Sequence, residues 1–167
     1  FNFIYSNIII MVGIISNLYL IIFYKKTQLS DRSSFVYLFI DIFQLSGLIY
    51  LTGGVVNPFI IFLIIPSVFA SSNLSLKTNS MLVLITVISI LFLTFYSEAL
   101  PGPLSDHFHV DAYYYYSIPL ALIIALLFLN YFAIIFGVES KLRKEALNKM
   151  EEIMAKEHEM LSLGGQA

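Results

Sequence analysis

Asp41, Gln44, Leu48 and Thr52 are separated by three, four and four residues, a spacing that puts all four side chains on one face of a helix. An acid and an amide inside an otherwise apolar segment are expensive at membrane depth, and such groups mark functional positions. The stripe runs directly into Leu51-Thr52-Gly53-Gly54-Val55-Val56-Asn57-Pro58-Phe59. Two glycines suit the left-handed backbone that closes a helix, Asn57 suits an N-cap, and Pro58 suits the first position of the helix that follows. A tight hairpin accounts for all of this. It leaves the company unexplained. Tyr50 and Phe59 flank the turn, the glycines open the backbone to close approach, and Asn57 carries two donors and an acceptor. An amide set between aromatic rings at the bilayer surface can hold a flat, carbonyl-bearing ligand. Both readings stand on the residues alone.

A second cluster, Glu98, Asp106, His107, His109 and Asp111, has donors that suit zinc or copper. A solvated polar loop is the simpler reading, and proton sensing through the histidines is a third. No metal is assigned. His158, in Lys156-Glu157-His158-Glu159, has no Ser or Cys partner and no ligand spacing, and reads as a solvated helix residue. No phosphate-binding glycine loop and no nucleophilic triad occur, so no catalytic residue is assigned.

The elements that must position these residues are membrane helices. The chain is 59% hydrophobic and 12% charged, with a mean hydropathy of +0.86, against about 25% charged in soluble domains. Residues 1–138 carry nine charged side chains and residues 139–167 carry eleven. The expected organisation is therefore all-α: a polytopic transmembrane domain over 1–138, followed by a cytoplasmic helix over 139–167. The net charge of −2 averages these unlike halves and gives no reason to invoke nucleic acid. The chain has no cysteine, which excludes disulfides and thiolate metal sites within it.

A span needs about 20 mainly apolar residues. Ile4–Tyr24, Ser34–Leu51, Pro58–Leu76, Ser80–Tyr96 and Tyr116–Val138 are the expected five. The third has a short apolar core interrupted by Pro66, and a kinked span is expected there rather than a re-entrant loop. Lys25, Lys26, Arg32, Lys77, Lys141, Arg143 and Lys144 all flank one set of span ends, whereas the loops Thr52–Asn57 and Ser97–Tyr115 contain no Lys or Arg. The positive-inside rule then makes the tail cytoplasmic and the glycine loop external. A first residue outside implies a further upstream span, six in all, and a chain that is part of a longer protein. Tyr113–Tyr116 is placed as an aromatic belt. In the tail, Leu147, Met150, Met154 and Leu161 follow helical spacing with Glu157 on the same seam, which fits either a solvated helix extending the fifth span or a parallel coiled-coil dimer.

The residues Gly53-Gly54-Val55-Val56-Asn57-Pro58-Phe59, the preceding Leu48–Thr52 region and the tail Lys156–Ala167 together resemble the membrane sensor region of the RegB/PrrB/ActS family of redox-responsive sensor histidine kinases. That family carries GGxxNPF in a short outer loop of a six-span domain, and its phosphoacceptor helix follows the membrane domain. The resemblance implies a bacterial inner-membrane, multi-pass input module of a two-component system. It implies that Gly53, Gly54, Asn57, Pro58, Phe59 and Tyr50 bind ubiquinone or a related quinone as the sensed ligand. It also implies a homodimer, with ATP and a response regulator used by a kinase domain beyond Ala167. The phosphoacceptor histidine would fall past Ala167, and the family's redox cysteine has no counterpart here. Alternatives from other classes are a transporter or channel subunit with Asp41 and Gln44 along a polar path, or the same sensor joined to a different signalling output.

Overall fold

A computed structural model describes residues 3–23, 30–98 and 111–164. Within them the chain is helical: α1 Phe3–Phe23, α2 Asp31–Tyr50, a short 3₁₀ turn Gly54–Val56, a 3₁₀ helix Pro58–Leu63 that runs into α3 Ile64–Asn73, α4 Leu76–Phe95, and α5 Ala112–Gly164. Four helices are long and apolar enough to cross a membrane; Pro58–Asn73 is a shorter apolar helix. The expected all-α membrane architecture is what the chain adopts.

The third span is built differently from the kinked helix that Pro66 suggested. Six residues of 3₁₀ helix rise roughly 12 Å and ten of α-helix roughly 15 Å. Their sum approaches the roughly 30 Å hydrocarbon thickness that sixteen α-helical residues would miss by more. Pro66 falls in the first turn of α3, the part of a helix that tolerates proline best.

Polar contacts fix which helix ends lie together. At one end, the Asp31 carboxylate accepts from the Ser75 N–H at 3.2 and 3.3 Å and from the Thr78 hydroxyl at 3.1 Å, so the start of α2 caps the start of α4. A Cβ at Gly137 would lie 3.0 Å from Ser72 Cα, bringing the end of α3 against α5 at the same level. Arg32, Lys77 and Lys141 sit at this end. At the other end, the Glu98 N–H donates to the Tyr50 carbonyl at 2.9 Å and the Tyr115 hydroxyl donates to the Thr94 carbonyl. The glycine loop and the basic residues therefore occupy opposite ends of the bundle. Lys25 and Lys26 lie outside the described residues.

α1 packs on α2 and is otherwise largely exposed, as a lipid-facing helix should be. The core lies among α2, the 3₁₀ helix, α3, α4 and α5, around Ile42, Leu63, Leu82, Ile90, Leu93 and Leu126, all fully buried. Buried polar side chains pair across it, as hydrocarbon demands. Ser67 and Thr86 share a 2.5 Å hydroxyl contact between α3 and α4. Asn79 donates to Asn130 at 3.0 Å between α4 and α5, leaving Asn79 Oδ1 and Asn130 Nδ2 without partners.

α5 is one continuous helix across residues 138 and 139. Beyond Val138 its described side chains are exposed, with Glu139–Arg143 and Glu152–Lys156 ion pairs at i,i+4 that contribute only tenths of a kcal/mol, on the order of 0.3–0.5.

Candidate functional site: the glycine-asparagine-proline loop

The loop follows the local rules read from its sequence. Gly53 and Gly54 take φ of 107° and 57°, the left-handed region that glycine enters without steric penalty. Gly54 also sits where no side chain fits: a Cβ there would meet the Leu93 carbonyl oxygen at 2.8 Å and overlap Ser97. The loop is thus pressed onto the C-terminal end of α4. Val55 beneath it is buried. Asn57 is the N-cap of the 3₁₀ helix, with Pro58 at its start.

Asn57 is 7% exposed, and its amide is committed. Oδ1 accepts from the Phe59 N–H at 2.9 Å. Nδ2 donates to the Thr52 carbonyl at 3.2 Å and to Thr52 Oγ1 at 2.6 Å, while the Thr52 hydroxyl donates to the Leu48 carbonyl at 2.7 Å. Both amide hydrogens are therefore used within the loop, and one lone pair on Oδ1 is left. Asn57 closes the turn as well as facing what lies beside it.

Beside it is an open groove of about 530 Å³, lined by Leu45, Leu48, Ile49, Thr52, Asn57, Pro58, Phe59 and Phe62. Its walls are apolar and its polar edge is the Thr52–Asn57 pair, the composition common to small-molecule sites. Phe59 is 61% exposed and its ring lies 5.7 Å from that of Phe62, forming an aromatic rim.

The candidate residues divide into three settings. Asn57, Pro58, Phe59 and Thr52 line the groove. Gly53 and Gly54 shape the turn behind it. Tyr50 turns to α4 instead, its ring stacked on Phe92 with centroids 6.2 Å apart, and Phe92 in turn on Tyr96 at 5.3 Å. The intramembrane stripe also separates. Gln44 lies against Gly13 of α1 in a second, smaller cleft with Ile8, Ile9, Val12, Ile40, Phe43 and Gly47. Thr52 faces the groove, and Asp41 is half-buried one turn from Gln44 on the side away from the groove, toward the Asp31 end of α2.

Three groove residues were not singled out by sequence reasoning: Leu45, Ile49 and Phe62. Leu45, Leu48, Ile49 and Thr52 follow i, i+3, i+4, i+7 spacing, a signal present in the sequence but indistinguishable there from ordinary helix packing.

Asp106, His107 and His109 lie outside the described residues. Among the described residues no group of three His, Asp or Glu side chains is placed to hold a metal ion. His158 lies on the exposed part of α5.

No family model matches the chain, and no solved structure matches it. Among curated proteins it is similar to the sensor histidine kinase RegB of Cereibacter sphaeroides, at 27% identity over 146 residues. The alignment takes in 86% of this chain and 31% of that protein, so the chain spans about a third of the length of its relative. The similarity supports a relationship to sensor histidine kinases.

Proposed function

We propose that this chain is the membrane input module of a two-component sensor histidine kinase, and that the groove beside Gly53–Phe59 binds ubiquinone or a related quinone. The redox state of that ligand would set ATP-dependent autophosphorylation and phosphotransfer to a response regulator. The membrane is the bacterial inner membrane, with the loop outside, the α5 extension in the cytoplasm, and two copies pairing through that extension.

The observation that carries the reading is the polar edge of an otherwise apolar groove at the loop end of the bundle. A quinone offers carbonyl acceptors, and a quinol offers hydroxyl donors. The free lone pair on Asn57 Oδ1 accepts from a quinol hydroxyl without disturbing the loop. An oxidised carbonyl needs an amide hydrogen, and both are held by Thr52. Binding the oxidised ring therefore breaks a loop hydrogen bond worth about 1 kcal/mol. That separates the two redox states roughly fivefold and loosens the Thr52–Asn57 clasp in one of them. Couplings of about 1–3 kcal/mol are typical of allosteric control.

The clasp connects to the output helix. The 3₁₀ helix capped by Asn57 continues directly into α3, which packs along α5 and ends beside Gly137.

The test fills the groove without touching the clasp. In the full-length protein reconstituted in lipid nanodiscs, Leu48→Trp is expected to abolish the difference in autophosphorylation between oxidised and reduced ubiquinone while leaving activity without quinone unchanged. An unaltered redox response in that variant refutes the site.

A further inference from the structure

A second groove, of about 490 Å³, adjoins the first. Phe62 lines both. From there the second groove descends along α3, with Ile64 and Val68 as its floor and Ile65 and Phe69 as its rim, and Leu129 of α5 forms the opposite wall. All of its lining residues are aliphatic or phenyl. It begins one turn from the loop and ends one turn short of Asn73 at the opposite end of the bundle, so it runs down through the hydrocarbon layer. A polar-edged cavity at the membrane surface, opening into a purely apolar channel directed inward, has the shape of an amphiphile with its head at the interface.

We propose that the ligand of the loop groove carries a long apolar tail, and that this tail lies in the second groove against Leu129. The proposal rests on the ring-site reading above. Its consequence concerns signalling more than affinity. Lipid solvates an apolar tail as well as isoleucine does, so the groove adds little binding energy. What it fixes is contact. The ring groove is lined by residues 45–62 alone, and none belongs to α5. The tail is the part of the ligand that reaches the helix continuing into the charged extension. A tail-less ring would act on α5 only through the clasp and α3, without direct contact, giving a diminished response.

Two photoreactive ubiquinone probes, one with a diazirine on the ring and one with it midway along a prenyl tail, test this with the full-length protein in phosphatidylcholine nanodiscs. The ring probe is expected to label residues 57–62. The tail probe is expected to label residues 65–69 and Leu129, with both signals lost in excess unlabelled long-tailed ubiquinone. Ile65→Trp with Leu129→Trp, both at exposed positions, should remove the tail labelling and leave the ring labelling intact. Ring labelling at 57–62 combined with tail labelling spread over the exposed face of α1 overturns the tail site alone. Tail labelling in the groove that excess quinone fails to displace also overturns it, since ordinary acyl chains then fill the groove. Failure of the ring probe to label 57–62 overturns the ring site itself.

Discussion

Gly54→Ala is the sharpest perturbation of the loop. At φ 57° a residue with a Cβ pays about 1–2 kcal/mol for the left-handed conformation. The added methyl also meets the Leu93 carbonyl at 2.8 Å. That oxygen belongs to the backbone of a packed helix and does not rotate away. Overpacking of this kind adds about 1–3 kcal/mol, so the total loss is expected to be about 2–5 kcal/mol. Gly47→Ala is the matched control, because a Cβ there meets only the end of the Ile9 side chain at 3.4 Å, and its change should stay within about 0.5 kcal/mol. Unfolding of both variants in mixed detergent micelles measures the difference. If Gly54→Ala is as stable as Gly47→Ala, the loop is not seated on α4 as described, and the position of the groove fails with it.

Three further outcomes follow from the same contacts. Asn57→Ala strips the Phe59 N–H and both Thr52 oxygens of their partner and should destabilise by about 1–3 kcal/mol; a double-mutant cycle with Thr52→Val should show coupling. Asn79→Leu and Asn130→Leu should each cost about 0.6–1.7 kcal/mol, and the double variant should be milder than the two losses added, because no amide is left buried alone. Gly137→Val places carbon 3.0–3.1 Å from the Ser72 backbone and must push α5 off α3; autophosphorylation should lose its quinone dependence while quinone binding, measured on the same sample, persists.

The helices were legible wherever an apolar run of span length existed, and α1, α2, α4 and α5 are such runs. Their starts were less so. α2 begins at Asp31 and α4 at Leu76, three and four residues before the expected Ser34 and Ser80, because Ser30 and Ser75 cap them through Ser33 and Thr78. Caps extend helices into polar sequence that hydropathy alone assigns to loops. The loop's local form was also legible, since Gly-Gly and Asn-Pro each permit few conformations. Several features were not. Nothing in Pro58–Leu63 declares 3₁₀ geometry. The Asn79–Asn130 pair joins residues fifty-one positions apart, and Tyr50 turned to Phe92 rather than to the groove. Such choices are made by tertiary packing, to which spacing along one helix is blind. The polar residues Ser67, Thr86 and Asn130 inside apolar runs were the available signal that these helices touch, whereas Asn79 lies in polar sequence ahead of its run.

Quinone binding in the loop groove, with oxidised and reduced forms distinguished, can be read out directly by fluorescence. The chain contains no tryptophan, so Phe59→Trp supplies a single fluorophore on the groove's rim, and Tyr131→Trp supplies a control on the exposed face of α5. The chain in nanodiscs is titrated with oxidised, tail-less ubiquinone. Quenching at position 59 is expected to saturate and to be relieved by competing quinol, with linear quenching at position 131. Linear, quinol-insensitive quenching at both positions would contradict binding in the groove.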